Sequence, residues 1–525
     1  MKHYIDCIIA VPSFQDKNMK HVFSNTEMLG PEYIAASVEY NGYSVNLLNA
    51  YSDEEISDEK ILEEIRKLNP IVVGVTCASQ RSYPFVKHLV KSIRENGYEG
   101  KIVVGGFYAT LEPEHILTDL DGIDAINLGE GEVSFAEIVK SLKNTGELPE
   151  IDGIAYKKKN GEICVRLQRR LRNIDFAFFP KRTPIKRNAV SNMVDGTYIK
   201  GKYYNMIVGR GCYGRCSFCS IHKSYESGLR VYRSAKNVVD EMEILRDKYG
   251  IEHIWFNDEI FYDRSKNGIK WLNSFCDELE ARKLGLSFNI ELRPNDINEK
   301  ELKRLKDVGL TAIFVGIESG IQRVLDEMRK DTTVEENCRA IEILKKLDIK
   351  LEMGWISLVP TMTFEELCEN YKFLLSTDCY TEENIYNRFN LYGGCYYEEI
   401  LKEKQLLEKD SSFYDRFGYD FADVRVGHFT EIIDNMRADF KEAKRKTMPI
   451  QRKISIEGDY APYLEIRKIQ RAIWTWLIPE VLECFKENEQ LEWKQFVQMP
   501  VYNEFLKKVH DLEKEIDAIG NQLCA

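Results

Sequence analysis

Over the first 150 residues, short, mainly apolar runs rich in β-branched residues alternate with helical stretches. The runs at 4–11, 44–49, 71–76, 101–105 and 125–128 read as strands. The stretches at 32–40, 57–67, 83–95 and 135–143 read as helices. Continuous apolar strands spaced by helices predict a parallel sheet covered on both faces. An open sheet of this kind takes its ligands at the carboxyl ends of its strands. The sequence puts small and polar residues there: Thr76, Cys77, Ala78 and Ser79 after the third strand, Gly105-Gly106 after the fourth, and Gly129-Glu130-Gly131-Glu132 after the fifth.

A second alternation starts near Tyr203. Strands are expected at 205–208, 253–256, 287–291, 312–316, 351–358 and 385–391, with helices at 235–249, 266–282, 299–308, 321–329, 334–347 and 364–376. Six strand–helix repeats predict a partial parallel barrel of the TIM type, with its chemistry at the carboxyl ends of the strands. Between the two alternations, 151–200 reads as a connector that opens with a hairpin turned at Asn160-Gly161. Its basic residues Lys181, Arg182, Lys186 and Arg187 read as a solvated face. Beyond about residue 395 the pattern is helical, with aromatics (Tyr463, Trp474, Trp476, Phe485, Trp493, Phe496) read as a packing face. The expected class is therefore α/β. An open parallel-sheet, Rossmann-like domain (1–150) leads through a connector (151–200) to a partial (β/α)6 barrel (201–395) and a helical C-terminal region (396–525).

Composition narrows the function classes without naming one. The 525 residues are 44% hydrophobic and 30% charged, with a formal net charge of −12. That balance argues against nucleic-acid binding through a global basic surface. The thirteen cysteines are an odd number, mostly scattered singly, which points to a reducing, cytoplasmic setting rather than a disulfide framework. The opening MKHYIDCIIAVPSFQDKN has too short an apolar run for a signal peptide, and no later run is long enough for a membrane span.

One motif carries chemistry. In Gly209-Arg210-Gly211-Cys212-Tyr213-Gly214-Arg215-Cys216-Ser217-Phe218-Cys219, three thiols fall within eight residues at Cys-x3-Cys-x2-Cys spacing. Gly211 and Gly214 permit the loop to curl so that the thiols converge. Structural zinc would require a fourth ligand, for which His222 is the near candidate. A cubane iron–sulfur cluster on three thiolates would leave one iron open to a ligand.

The triplet, with Phe218 before its third cysteine, resembles the signature of the radical S-adenosylmethionine (radical SAM) family. The resemblance implies that Cys212, Cys216 and Cys219 hold a [4Fe–4S] cluster whose open iron is chelated by SAM. Reductive cleavage then gives methionine and a 5′-deoxyadenosyl radical. It further implies SAM contacts from Phe218, from Asn257-Asp258-Glu259 after the second barrel strand (the ammonium), from Arg293 after the third (the carboxylate), and from Glu318 and Ser319 after the fourth (the ribose). The fifth strand departs from the family pattern: Leu358-Val359-Pro360-Thr361-Met362-Thr363 stands where relatives carry glycine before the proline and Gly-Glu-Thr after it.

Placed before such a barrel, the first domain resembles the cobalamin-binding domain of the B12-dependent radical SAM subgroup. Leu29-Gly30-Pro31-Glu32, Val103-Val104-Gly105-Gly106-Phe107-Tyr108 and Gly129-Glu130-Gly131-Glu132 carry the likeness. Asp-x-His-x-x-Gly, which supplies a lower cobalt ligand in many cobalamin proteins, is missing. The resemblance implies cobalamin contacts from Thr76, Ser79, Gly105, Gly106, Tyr108, Gly129 and Glu130.

The expected activity is methylation of an unactivated carbon in a small-molecule or peptide substrate, with methylcobalamin as methyl donor. An electron donor such as flavodoxin or ferredoxin would feed the cluster. The alternatives are a radical cyclase or rearrangement enzyme, a tRNA-modifying radical SAM enzyme, and a non-enzymatic zinc protein. Against the tRNA-modifying reading stands a first domain that offers only Cys7 and Cys77.

Overall fold

The structure, a computed structural model, describes residues 3–13, 27–51, 53, 55–167, 170–183, 203–221, 229–408, 418–457 and 461–524. His222, Lys186 and Arg187 lie outside the described residues.

Strands β1 (Cys7–Val11), β2 (Val45–Asn49), β3 (Val72–Thr76), β4 (Lys101–Gly105) and β5 (Ala125–Asn127) form the parallel part of a seven-stranded sheet ordered β2-β1-β3-β4-β5-β6-β7. Successive side chains point to opposite faces, and both faces are covered. Ile8, Val73, Ile102 and Val104 join a core with the helices Asp58–Leu68 and Tyr83–Glu95. Ile9, Val72 and Val103 join a second core with Leu29–Tyr40 and Gly131–Thr145. Each fully buried Ile or Val side chain contributes about 1.5–3 kcal/mol, which explains the unbroken apolar runs. The remaining strands β6 (Ile154–Lys157) and β7 (Ile163–Arg166) form the hairpin and pair antiparallel at the edge of this sheet. The stretch expected to open the connector is therefore part of the first sheet.

The order places β1 between β2 and β3, so the chain reverses direction across the sheet at β1/β3. That is where an open α/β sheet forms its crevice.

The second sheet is five-stranded and wholly parallel: β8 (Tyr203–Met206), β11 (His253–Phe256), β12 (Ser287–Leu292), β13 (Leu310–Glu318) and β14 (Lys350–Trp355), each paired with the next in that order. The intervening helices pack outside it, as the periodicity predicts. A short antiparallel ribbon, β9 (Gly209–Arg210) with β10 (Val231–Tyr232), ties together the two ends of the cysteine loop.

The sixth strand expected at 385–391 is reduced to a single parallel bridge between Leu358 and Arg388. Thr381 and Asn384 form a capping box that starts a helix at Glu382–Tyr386, and this cap overrides the apolar run. Backbone bonds from Ser357 N and Leu358 N to Asn387 O (3.0 and 3.2 Å) and from Phe389 N to Leu358 O (2.9 Å) still hold the segment at the sixth barrel position.

The tail helices, among them Val424–Asp439, Ala461–Glu487 and Pro500–Cys524, share one continuous core with the barrel. Trp474, Phe485 and Phe496 are fully buried in it, so these aromatics pack. Among the described residues no helix is long and apolar enough to cross a membrane, and every described cysteine side chain is a free thiol.

Arg182 departs from the solvated reading. Its buried guanidinium donates to Glu27 (3.1 Å) and Asn205 O (2.7 Å) and pairs with Glu241, while Glu241 also pairs with Arg233 at 2.6 Å. Glu27 precedes the first helix of the N-terminal sheet domain, and Glu241 lies on the first barrel helix, so this ionic seam joins the two sheets. Charge composition alone gives no signal of it, because each partner is distant in sequence.

Candidate active site

The cysteine loop leaves β8 and is held from below by acids at the end of β11. The buried Asp258 carboxylate accepts from Val208 N (2.9 Å) and Gly209 N (2.8 Å) and pairs with Arg230 at 2.5 Å. Glu259 accepts from Gly211 N at 3.1 Å. Two glycines are required. Gly211 has φ +81° and its missing Cβ would lie 2.6 Å from Leu229 O, while a Cβ on Gly214 would overlap the Arg293 guanidinium. Further along, Ser217 N donates to Met328 O (2.8 Å), Tyr397 N donates to Ser217 O (2.8 Å), and Cys219 N donates to Cys216 O (3.1 Å). The loop is therefore clamped at its start, through Val208, Gly209 and Gly211, and again at Ser217.

Burial first, and then the neighbouring thiols, push Cys219 up to about 12 and raise Cys212. Arg293, at the end of β12, donates to Cys216 Sγ at 3.1 Å, and Gly214 N donates to Cys212 Sγ at 3.3 Å. Among the described residues no three Cys, His, Asp or Glu side chains already stand in metal-holding geometry. The donor set nonetheless suits an anionic metal–thiolate group: three thiols on one loop, Cys216 buried and the other two half-buried, with a cation aimed at Cys216 and an amide N–H at Cys212.

The other barrel residues singled out in the sequence are divided among several tasks. Asp258 is saturated by two backbone N–H groups and Arg230, so it shapes the loop instead of presenting an open acceptor. Arg293 is engaged by Cys216, by Lys330 O, and by the Tyr213 ring 5.3 Å away. Glu318 ends β13 with φ +62°, a left-handed conformation unusual for a residue with a side chain, and accepts from Lys330 Nζ at 2.8 Å. That ammonium also lies 5.8 Å from the centre of the Phe218 ring. Ser319 is buried and donates to Asn370 Oδ1 at 3.0 Å.

Two barrel acids escaped the sequence reading. Glu291 on β12 and Glu352 on β14 each stand in register with Phe314 on β13, so they share one face of the sheet, the face opposite the helix-packed core. Neither carboxyl has a hydrogen-bond or ion-pair partner among the described residues. Burial, then the nearby Glu352, Asp258 and Glu259 charges, push Glu291 up to about 8, and burial pushes Glu352 up to about 7. Their signal in the sequence is a lone acid inside an apolar strand, as in Ile290-Glu291-Leu292 and Leu351-Glu352-Met353.

A large cleft joins the two sheets. From the first domain it is lined by Thr76, Gly105, Gly106, Gly129 and Glu130 together with Gly74 and Gly131, and from the barrel by Gly209, Arg210, Asn257 and Glu259. Gly106 adopts φ +106° and leaves room that a Cβ, 2.7 Å from Cys77 O, would fill. Thr110, at the end of the Gly105-Gly106 motif and given no contact from the sequence, bridges the two glycine turns: its hydroxyl donates to Gly106 O (3.0 Å) and accepts from Gly129 N (2.9 Å). Ser79 and Tyr108 face a smaller, mostly apolar chamber alongside, shared with Phe218 and Cys219. Ser79 also caps a short 3-10 turn through reciprocal bonds with Ser82.

Residues 18–139 match the model of the B12 binding domain, and residues 206–374 match that of the radical SAM superfamily. The chain carries a B12-binding domain followed by a radical SAM domain. An uncharacterized methyltransferase of Pyrococcus horikoshii, PH0819, is 28% identical over 71% of this chain and 78% of its own length. The anaerobic magnesium-protoporphyrin IX monomethyl ester cyclase of Cereibacter sphaeroides is 30% identical over 65% of this chain, which spans 55% of that enzyme. In fold, the chain is similar to the cobalamin-dependent radical SAM enzyme OxsB with aqua-cobalamin and SAM bound (TM-score 0.73, 16% identity, covering 99% of this chain and 80% of that one). It is also similar to the radical SAM methyltransferase TsrM of Kitasatospora setae (TM-score 0.60, 16% identity, 76% and 75% covered).

The radical SAM domain implies a [4Fe–4S] cluster and SAM, and the B12-binding domain implies cobalamin. The residues present fit all three. The loop offers three clustered thiols with Arg293 beside them, the barrel offers unpaired acceptors suited to a cationic ligand, and the glycine-lined cleft lets a bulky group approach bare backbone.

Proposed function

We propose that this radical SAM enzyme methylates an unactivated carbon of a small-molecule or peptide substrate, fed by an electron donor such as flavodoxin or ferredoxin in a reducing cytoplasm. The observation that carries this reading is the single cleft lined both by the glycine turns of the B12-binding domain and by the strand ends that clamp the cysteine loop. With their cofactors bound, the cluster and SAM supply the hydrogen-abstracting radical and cobalamin supplies the methyl group. The chain's own residues do the rest. Cys212, Cys216 and Cys219 hold the cluster, with Arg293 offsetting its negative charge. Asp258 and Glu259 fix the loop. Glu291 and Glu352 supply acceptors for cationic groups of SAM, a role the resemblance implies for Asn257-Asp258-Glu259. Thr76, Gly105, Gly106 and Gly129 line the cobalamin side.

The test is the mass of the product. With SAM deuterated in its methyl group, a methylase adds one labelled methyl to the substrate for each turnover. Formation of 5′-deoxyadenosine with product lacking that label would favour the second reading, a cyclase or rearrangement, which the likeness to the Cereibacter cyclase keeps in view.

The barrel acids give a pH signature. Both are raised above the ordinary carboxyl value of 4.5, so between about pH 4.5 and 8 the folded chain binds protons that the unfolded chain does not. Without ligand, stability therefore falls as pH rises through that window. A cation bound beside them favours their ionised forms, so SAM should bind more tightly at pH 8 than at pH 6 and release protons as it does. Calorimetry in buffers of different ionisation heat measures that release, and Glu291→Gln should reduce it. Equal proton release by wild type and variant would remove Glu291 from the SAM site.

A further inference from the structure

The acidic turn of the B12-binding domain, Gly129-Glu130-Gly131-Glu132, faces more than the cleft. Glu132 lies in the first turn of the helix Gly131–Thr145 and is buried. Its carboxylate forms a two-point ion pair with Arg210: Nη1 donates to Oε2 at 3.2 Å and Nη2 donates to Oε1. Glu130 Oε1 lies 3.5 Å from the same guanidinium, and Glu130 Oε2 accepts from Leu171 N at 2.9 Å. Arg210 lies on β9, two residues before Cys212, and its own carbonyl accepts from Arg170.

The acid is held firmly. A Cβ on Gly131 would overlap Ile34 and approach Asn127 Oδ1 at 2.8 Å, so the helix start is packed down onto β5 and the first helix. Ser37 Oγ donates to Glu132 O, and the helix N-terminus itself favours a carboxylate there. A two-point Arg–carboxylate pair fixes orientation as well as distance. It is also not needed to join the domains, because the Arg182–Glu27–Glu241 seam does so elsewhere.

We propose that Glu132, assisted by Glu130, is a positioning residue for the cluster: acting through Arg210, it sets the start of the cysteine loop from the cobalamin side. The proposal rests on the triplet being the cluster's ligand set. It assigns the Gly-Glu-Gly-Glu turn a second task besides lining the cofactor cleft, and it links the geometry of one cofactor site to the other.

The test uses anaerobically reconstituted full-length enzyme carrying cobalamin. Glu132→Gln should keep the fold, the cobalamin visible spectrum and the iron content. It should change the electron paramagnetic resonance signal of the reduced cluster with SAM and slow 5′-deoxyadenosine formation by about 10–100-fold, as loss of a metal-site supporting contact does. Glu132→Asp, which keeps the charge but shortens the reach, should fall between. A wild-type signal and rate in Glu132→Gln would overturn the proposal. If that variant does not fold, Glu130→Gln decides: a smaller change in the signal at unchanged melting temperature supports the proposal, and an unchanged signal overturns it. Absence of iron from the wild-type enzyme would instead defeat the cluster reading on which the proposal rests.

Discussion

Replacing Cys216 with Ala leaves a chain that carries no cluster and forms no 5′-deoxyadenosine above background. Of the three thiols this one has the most specific surroundings, since it alone accepts from Arg293, at 3.1 Å, and it is buried. A cubane with three protein thiolates has none to spare, because its fourth iron is the one left for SAM. Without the thiolates' charge the Arg293 guanidinium would sit beside an apolar methyl, still tied to Lys330 O, so the loop should stay closed around an empty centre. Iron and acid-labile sulfide in the anaerobically purified variant measure this directly. About four irons per chain in wild type against near zero in Cys216→Ala is the expected result. Retention of wild-type iron and 5′-deoxyadenosine formation would place the cluster elsewhere.

Asp258→Asn should be the most destabilising single change in the barrel mouth. Asp258 is fully enclosed, and burial pushes it up to about 6 although Arg230 and the N–H of Val208 pull it down. Its loss would strand the buried Arg230, leaving Glu259 at 3.6 Å as its remaining carboxylate, and would turn an amide NH2 toward groups that now donate to a second carboxylate oxygen at the base of the cysteine loop. Breaking a buried pair from one side costs about 3–5 kcal/mol. The expected result is a clear fall in the unfolding midpoint together with poor cluster incorporation, measured by anaerobic thermal scans and iron content. If the variant instead melts like wild type and only its KM for SAM rises, Asp258 is a SAM ligand, as its place after the second strand first implies.

That contrast shows which levels of the molecule a sequence discloses. The parallel strands were legible because both faces of each sheet are covered, which forces unbroken apolar runs such as Cys7–Val11. The thiols were legible because one short loop contains all three. Residue roles decided by distant partners were not. Asp258 and Glu259 are adjacent, yet the first is saturated by Val208, Gly209 and Arg230 while the second borders the cleft. Arg182 reads as one more linker cation until Glu27 and Glu241 are folded around it. The sixth strand failed because a local cap at Thr381 outweighed apolar pattern, a competition between two short-range signals. Glu291 and Glu352 were missed because an isolated acid in a strand looks like a defect until the register with Phe314 puts both on one face.

The central claim is that one chain brings a cysteine-held cluster and cobalamin to a shared cleft. Its most direct test is metal analysis of the full-length protein after anaerobic reconstitution with iron, sulfide and hydroxocobalamin, followed by removal of unbound cofactor. The account predicts about four irons and one cobalt retained per chain. One zinc with no iron, or iron without any retained cobalt, would contradict it.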